Sequence, residues 1–190
     1  MPTFQPEAPL AVEMIGISKS FPGVQALDAV TFGVRRGEVH ALLGENGAGK
    51  STLMKILAGA QPADAGEIHL AARGRALGGK PVRIQSPLDA QRLGISVIYQ
   101  EFNLVPALSV AENIFLGREP TGAGGVMRWK QLFQDAEEVL RRVGVPLDVR
   151  TPVDRLSVAH QQIVEIGKAL STNASVLVMD EPSSALTDRE

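Results

Sequence analysis

The sequence predicts an α/β domain whose core sheet carries two appended subdomains. Three observations point there. Hydrophobic periodicity runs from β-rich, through mixed and then mostly helical segments, back to mixed at the end of the chain. The strand-like VHALL leads through the glycine-rich GENGAGKS, Gly44 to Ser51, into a helical pattern. Far downstream the apolar run VLVM, Val176 to Met179, ends on two acids. No internal repeat of roughly 20 to 50 residues cuts across this order.

In chain order, residues 1 to 10, with three prolines, read as a flexible lead-in to a domain spanning 11 to 190. VEMIGIS, AVTFGV and VHALLG then read as strands, with Phe21-Pro22-Gly23 marking a turn after the first. Leu53, Ile56 and Leu57 fall on one face of a helix that starts after Gly49 and ends near Gly59. GEIHL is a short strand, AARGRALGGKP a hairpin loop, and VRI its return. Residues 87 to 93 read as helix, and ISVIYQ as a buried strand by its β-branched run. A mostly helical block follows, about 101 to 170. It holds a short helix from Ala111 to Leu116, the loop PTGAGG, a helix from Trp129 to Val143, and another over 160 to 171 that leads into VLVM.

Composition sets outer limits. With 190 residues, 44% hydrophobic and 21% charged, the chain can bury a core and shows no signature of disorder or fibre. No apolar run approaches the roughly 20 residues that span a bilayer, and MPTFQPEAPL lacks the basic start and apolar stretch of a secretion signal, so a cytoplasmic chain is expected. The absence of cysteine removes disulfides, thiol catalysis and cysteine-held zinc. A net charge of -2 without a basic block argues against nucleic acid as a partner.

Two segments carry chemistry. GENGAGKS fits the phosphate-loop pattern G-x-x-x-x-G-K-[ST] between a strand and a helix. Gly44, Gly47 and Gly49 let the backbone curl its N–H groups around an anion. Lys50 would then reach β- and γ-phosphates and Ser51 would ligate Mg²⁺. In VLVMDEP, Asp180 at the carboxyl end of a buried strand would orient Mg²⁺ or its waters, and Glu181 would orient or deprotonate an attacking water. The plain alternatives are a glycine-rich turn with an exposed lysine, and an acidic turn after a core strand.

Together with other segments in the same order, these motifs resemble the ATP-binding cassette (ABC) ATPases, from about Val12 to the last residue. VIYQEFNLVP matches the strand and Q-loop, with Gln100 at the position that contacts Mg²⁺ and links to the membrane partner. LSVAHQQ stands at the signature, SSALTD, Ser183 to Asp188, at the D-loop, and Phe21 at the aromatic that stacks on adenine. The resemblance implies a P-loop NTPase fold: a RecA-like core, an antiparallel β subdomain and an α-helical subdomain. It also implies ATP and Mg²⁺ as cofactors. Nucleotide would be held by Phe21 and by Gly44, Glu45, Asn46, Gly47, Ala48, Gly49, Lys50, Ser51 and Thr52. Ser157 would serve the ATP of a partner domain. Glu181, Lys50 and Gln100 would act in hydrolysis, and Ser51, Gln100 and Asp180 at the metal.

The wording YQEFNLVPALSVAENIFLGRE and LSVAHQQIVEIGKALS is similar to the first ATPase domain of importers for ribose, galactose or xylose. An ATP-hydrolysing subunit powering monosaccharide uptake is thereby implied, peripheral on the cytoplasmic face of the cell membrane. Its partners would be membrane permease subunits, a second ABC nucleotide-binding domain and, indirectly, an external sugar-binding protein. The family pattern calls for a further strand and a histidine after Asp188, so the chain is expected to be a piece cut after the D-loop. Two other readings stand beside this one: a soluble ABC ATPase acting on ribosomes or nucleic acid, and a nucleotide-binding regulatory module without turnover.

For single residues the alternatives are plain ones. Phe21 could be a core residue and Gln100 a solvated strand end. Ser157 caps its own helix in either case. His40, His69 and His160 read as structural or exposed. Val158 and Ala159 replace both glycines of the common LSGGQ form. Their Cβ atoms are expected to loosen closure on a γ-phosphate and make two ATP sites unequal.

Overall fold

The computed structural model describes residues 8–71, 81–99 and 102–180. Backbone contacts divide the chain into two units, Met1–Ile95 and Ser96–Glu190.

The first unit is built on a hairpin. Strand β1, Leu10–Phe21, turns through Pro22 and Gly23 into β2, Val24–Arg35. Pro fixes the first turn angle, and Gly23 supplies the positive φ, 79°, that the second position demands. A third strand, β3, Ala65–Leu70, pairs antiparallel with the other side of β1, giving the order β2-β1-β3. Val12, Met14 and Ile17 of β1 are fully buried. The step from two residues to three between Met14 and Ile17 is absorbed by a register shift at Gly16.

Helix α1, Lys50–Leu57, buries Leu53, Ile56 and Leu57, the face read from the sequence. Each such side chain contributes on the order of 1.5–3 kcal/mol. Gly59, just past the Ala58 C-cap, lies in the left-handed region, and a Cβ there would fall 2.3 Å from the Ser86 carbonyl oxygen. Ser86 in turn caps α2, Pro87–Arg92, by accepting from the Asp89 N–H. The expected return strand VRI is reduced to one antiparallel bridge, Ile68 with Val82, and the hairpin loop at 72–80 lies outside the described residues.

One expected strand is not formed. VHALL runs without a ladder partner among the described residues, with Val39 fully exposed and Leu43 nearly so. An apolar run of this kind suits a strand sandwiched between two others. Its hydrophobicity records what the segment needs, and does not supply the neighbouring strands.

The second unit holds β4, Ile95–Ile98, paired with β5, Val176–Met179, and three helices between them. These are α3, Val110–Ile114; α4, Trp129–Val143; and α5, Val158–Ser171. Their inner faces make one cluster, in which Val110, Ile114, Leu132, Ala136 and Val164 are fully buried. Gly167 on α5 lets Ile114 and Val139 approach; a Cβ there would lie 3.3 Å from Ile114 Cδ1. Among the described residues no helix is long and apolar enough to cross a membrane.

Polar side chains pin the segment between β4 and α3. The fully buried Asn113 donates to the carbonyls of Val105, Leu108 and Ser109 and accepts from the Val105 N–H at 2.7 Å. Ser109 and Glu112 form a reciprocal capping box at the start of α3. From α5, Glu165 accepts from the Asn103 N–H at 2.6 Å, and Lys168 donates to the Asn103 carbonyl at 2.7 Å. Both backbone polar groups of Asn103 are thus held from α5. Asn113→Leu keeps the volume but leaves the Val105 N–H without its acceptor and takes a second donor from the carbonyls of Val105, Leu108 and Ser109. It is expected to cost roughly 2–4 kcal/mol in urea unfolding, and a loss below about 0.5 kcal/mol would show that the segment is held otherwise.

Candidate functional site

The candidate residues fall in both units, and each group stands on its own local geometry. In the first unit the loop Gly44 to Gly49 opens α1. Gly49 is the N-cap, left-handed with φ 84°, and no side chain caps the helix. The first N–H groups of α1, from Lys50, Ser51 and Thr52, therefore have neither an intrahelical acceptor nor a capping oxygen. Helices α2, α3 and α5 each have a serine in that role. A bare, glycine-led helix start is what an anion needs to come within reach of backbone donors.

The Lys50 ammonium donates to the carbonyls of Gly44, at 2.6 Å, and Glu45, at 2.8 Å, which holds its charge over the loop. Ala48 closes a turn inside the loop by donating to the Glu45 carbonyl. Gly47 has φ 85° and open space around it, so only its backbone conformation asks for glycine.

Gly49 is constrained twice, by φ and by contact. A Cβ at this position would lie 2.5 Å from the Ala26 carbonyl oxygen and 2.7 Å from Leu27 Cδ2. Ala26 is exposed to this approach by an irregularity in the hairpin. Ser20 pairs with Gln25 and Lys19 with Leu27, leaving Ala26 as the extra residue of a β-bulge. The bulged carbonyl meets the phosphate loop, and the same end of the hairpin carries Phe21 at its tip. A cavity of about 130 Å³ beside this contact is lined by Leu27, Val30, Leu42, Ala48, Lys50 and Leu53.

In the second unit Ser157 is the N-cap of α5, as its sequence suggests. Its Oγ accepts from the His160 N–H at 3.3 Å and keeps its own proton to donate. Val158 is 50% exposed, whereas Ala159 is 7% exposed, its side chain turned into the unit. Only the valine therefore puts a Cβ where a ligand at this helix start would arrive. Asp180 follows β5, exposed, with its N–H donated to the Ile98 carbonyl at 3.0 Å. Gln100, Glu181 and the D-loop segment Ser183 to Asp188 lie outside the described residues.

Among the described residues no group of three or more histidine, aspartate or glutamate side chains could hold a metal ion. The Ser51 hydroxyl, in the first turn of α1, is a hard oxygen donor of the kind that suits Mg²⁺ beside phosphate oxygens and water. His40 and His69 are each paired with a glutamate two residues earlier, Glu38 and Glu67, in line with structural roles. Four polar residues did not stand out in the sequence as site candidates: Asp64, Asn113, Glu165 and Lys168. None of the four sits in a local pattern that names its partner, whereas S-V-A-E, Ser109 to Glu112, has the pattern of a capping box.

A glycine cradle opening a helix, seated on a strand hairpin, defines a phosphate-loop nucleotide-binding cassette. Solved structures agree with that class. An ATP-binding cassette of an ABC transporter, MJ1267 in its ADP conformation, matches with a TM-score of 0.75 and 27% identity over 94% of this chain and 71% of that one. A nucleotide-free ATP-binding cassette from an ABC transporter matches with a TM-score of 0.75 at 26% identity over the same shares.

The chain belongs to the ABC transporter family, whose pattern it matches over residues 27–184. Curated relatives include the ribose import ATP-binding protein RbsA 2 of Streptomyces coelicolor, 55% identical over all of this chain and 35% of that protein. Another is a putative ribose/galactose/methyl galactoside import ATP-binding protein of Burkholderia cenocepacia, 56% identical over 94% of this chain and 34% of its own length. The chain thus spans about a third of the length of these relatives.

The geometry separates two glycines of the loop. Gly47→Ala is expected to cost about 1 kcal/mol, for its positive φ alone, and Gly49→Ala more than about 2 kcal/mol, because contact with the Ala26 carbonyl adds to the same strain. Urea unfolding of both variants checks this, and equal losses would contradict the seat of the loop on the bulge.

Proposed function

We propose that this chain forms the first nucleotide-binding domain of an ATP-driven importer subunit for a monosaccharide such as ribose or galactose, working at the cytoplasmic face of a membrane. One observation carries the nucleotide part: the uncapped, glycine-led start of α1 with Lys50 held above it. The sugar and the direction of transport rest on the names of the relatives.

In this reading the N–H groups of Lys50, Ser51 and Thr52 take the phosphate oxygens, and the helix dipole favours their negative charge. The Lys50 ammonium exchanges its two loop carbonyls for β- and γ-phosphate oxygens, trading neutral acceptors for charged ones. Ser51, Asp180 and Gln100 would hold the metal, and Phe21 would stack on the adenine. ATP with Mg²⁺, when bound, supplies a phosphoanhydride whose transferring group carries the charge to be stabilised. Glu181 orients or deprotonates the water that attacks it. Ser157 acts in trans, donating its hydroxyl proton to nucleotide held by a second such domain, while Val158 keeps that half-site from closing as far as a glycine would allow. Permease subunits would take up the resulting motion, and a sugar-binding protein would act through them.

In the full-length protein Lys50→Ala is expected to weaken ATP binding by about ten-fold or more. Glu181→Gln should leave ATP affinity near wild type and remove most phosphate release, because the amide can accept no proton. Isothermal titration and phosphate-release assays on the same samples test both. Wild-type turnover in Glu181→Gln would overturn its catalytic role, and unchanged affinity in Lys50→Ala would overturn the site itself.

A further inference from the structure

Asp64, just before β3, makes contacts that its position in a loop does not demand. The β1–β3 ladder ends with Ser18 paired to Ala65. Beyond it, among the described residues, Lys19 to Phe21 pair with β2 alone, and a two-stranded ribbon is marginal by itself. Asp64 takes the place of the missing third strand. Its N–H donates to the Ser18 carbonyl at 2.9 Å. Its Oδ2 accepts from the Ser20 N–H at 2.7 Å and its Oδ1 from the Lys19 ammonium at 2.6 Å. Three successive residues at the end of β1 are thereby tied to one side chain and its own backbone.

The tie bears on Phe21. Lys19 and Phe21 are two apart on a strand and so share a face. The Lys19 ammonium, drawn in by Asp64, lies over the Phe21 ring, 5.7 Å from its centroid. The Lys19 side chain is 13% exposed while the Phe21 residue remains 38% exposed. A cation thus stands over one face of the ring, and the residue stays exposed enough to meet a planar partner. The hydrogen bonds from Lys19 and from the Ser20 N–H hold the Asp64 carboxyl below the usual aspartate range, so the tie is charged at neutral pH.

We propose that Asp64 is a positioning residue for the nucleobase: by holding Lys19 and Ser20 it fixes the Phe21 ring as a one-faced platform for the purine of a nucleoside triphosphate. The inference rests on the reading above that Phe21 meets the base. A surface ion pair contributes little to stability. The role argued for Asp64 is to fix where an exposed ring stands, on the hairpin end that also seats the phosphate loop.

The test separates base from phosphates. Dissociation constants for ATP and for inorganic triphosphate are measured by calorimetry on the full-length protein, and the ratio of the triphosphate constant to the ATP constant reports the contribution of the nucleoside. Phe21→Ala should lower that ratio by about ten-fold. Asp64→Ala should lower it by about three- to ten-fold with triphosphate affinity within about two-fold of wild type, and Asp64→Asn, which keeps an acceptor for the Ser20 N–H, should recover much of the loss. A purely structural role would weaken ATP and triphosphate together, and that result overturns the proposal. So does an unchanged ratio in Asp64→Ala where Phe21→Ala lowers it. An unchanged ratio in Phe21→Ala overturns the platform and its positioning alike, and leaves the phosphate-loop reading intact, because triphosphate affinity carries that by itself.

Discussion

The close approach of Gly49 to the Ala26 carbonyl is the contact on which the geometry of the glycine-rich loop in the first unit depends. A phosphate loop must be both curled and held still, and its own glycines make it pliable. Here the loop is braced from outside. One extra residue in β2 turns a carbonyl out of the ladder, and the loop closes against it where only a glycine fits. The bulge that seats the loop lies at the end of the hairpin whose tip bears Phe21. The carbonyl that braces the loop and the aromatic ring are thus mounted on one hairpin, a few residues apart.

The second unit solves a different problem, that of joining a helix start to a loop. Ser157 begins α5, and Glu165 and Lys168 further along the same helix hold the N–H and the carbonyl of Asn103. Asn113 fixes the rest of that segment from α3. A buried carboxylate is tolerated because a backbone N–H is aimed at it. The helix and the segment that follows Gln100 in the chain are therefore rigidly connected within the unit.

How legible this was depended on the range of the interaction. Local patterns read well: the hairpin turn at Pro22-Gly23, the buried face of α1, the span of α4 and the serine cap of α5 all follow from spacing and residue type within a few positions. The phosphate loop was equally plain, since its chemistry is written in consecutive residues. Contacts at long sequence range were not legible. VHALL reads as a strand because its composition suits one, yet pairing is decided by neighbours that composition does not name. Asp64 and Glu165 sit in no local pattern that names a partner, and their partners lie 44 and 62 residues away. The fate of Ala159 also needed the fold, for a helix start shows one of two adjacent side chains to solvent and turns the other inward.

The central claim is that one hairpin end serves both ends of one nucleotide. Hydrogen exchange read by mass spectrometry on the full-length protein tests it most directly, comparing ligand-free, ATP-bound and triphosphate-bound samples. The account predicts that ATP slows exchange in two stretches, about residues 46 to 53 and about 19 to 27, while triphosphate slows the first far more than the second. Protection by ATP confined to the phosphate loop, with the hairpin end unchanged, would contradict it.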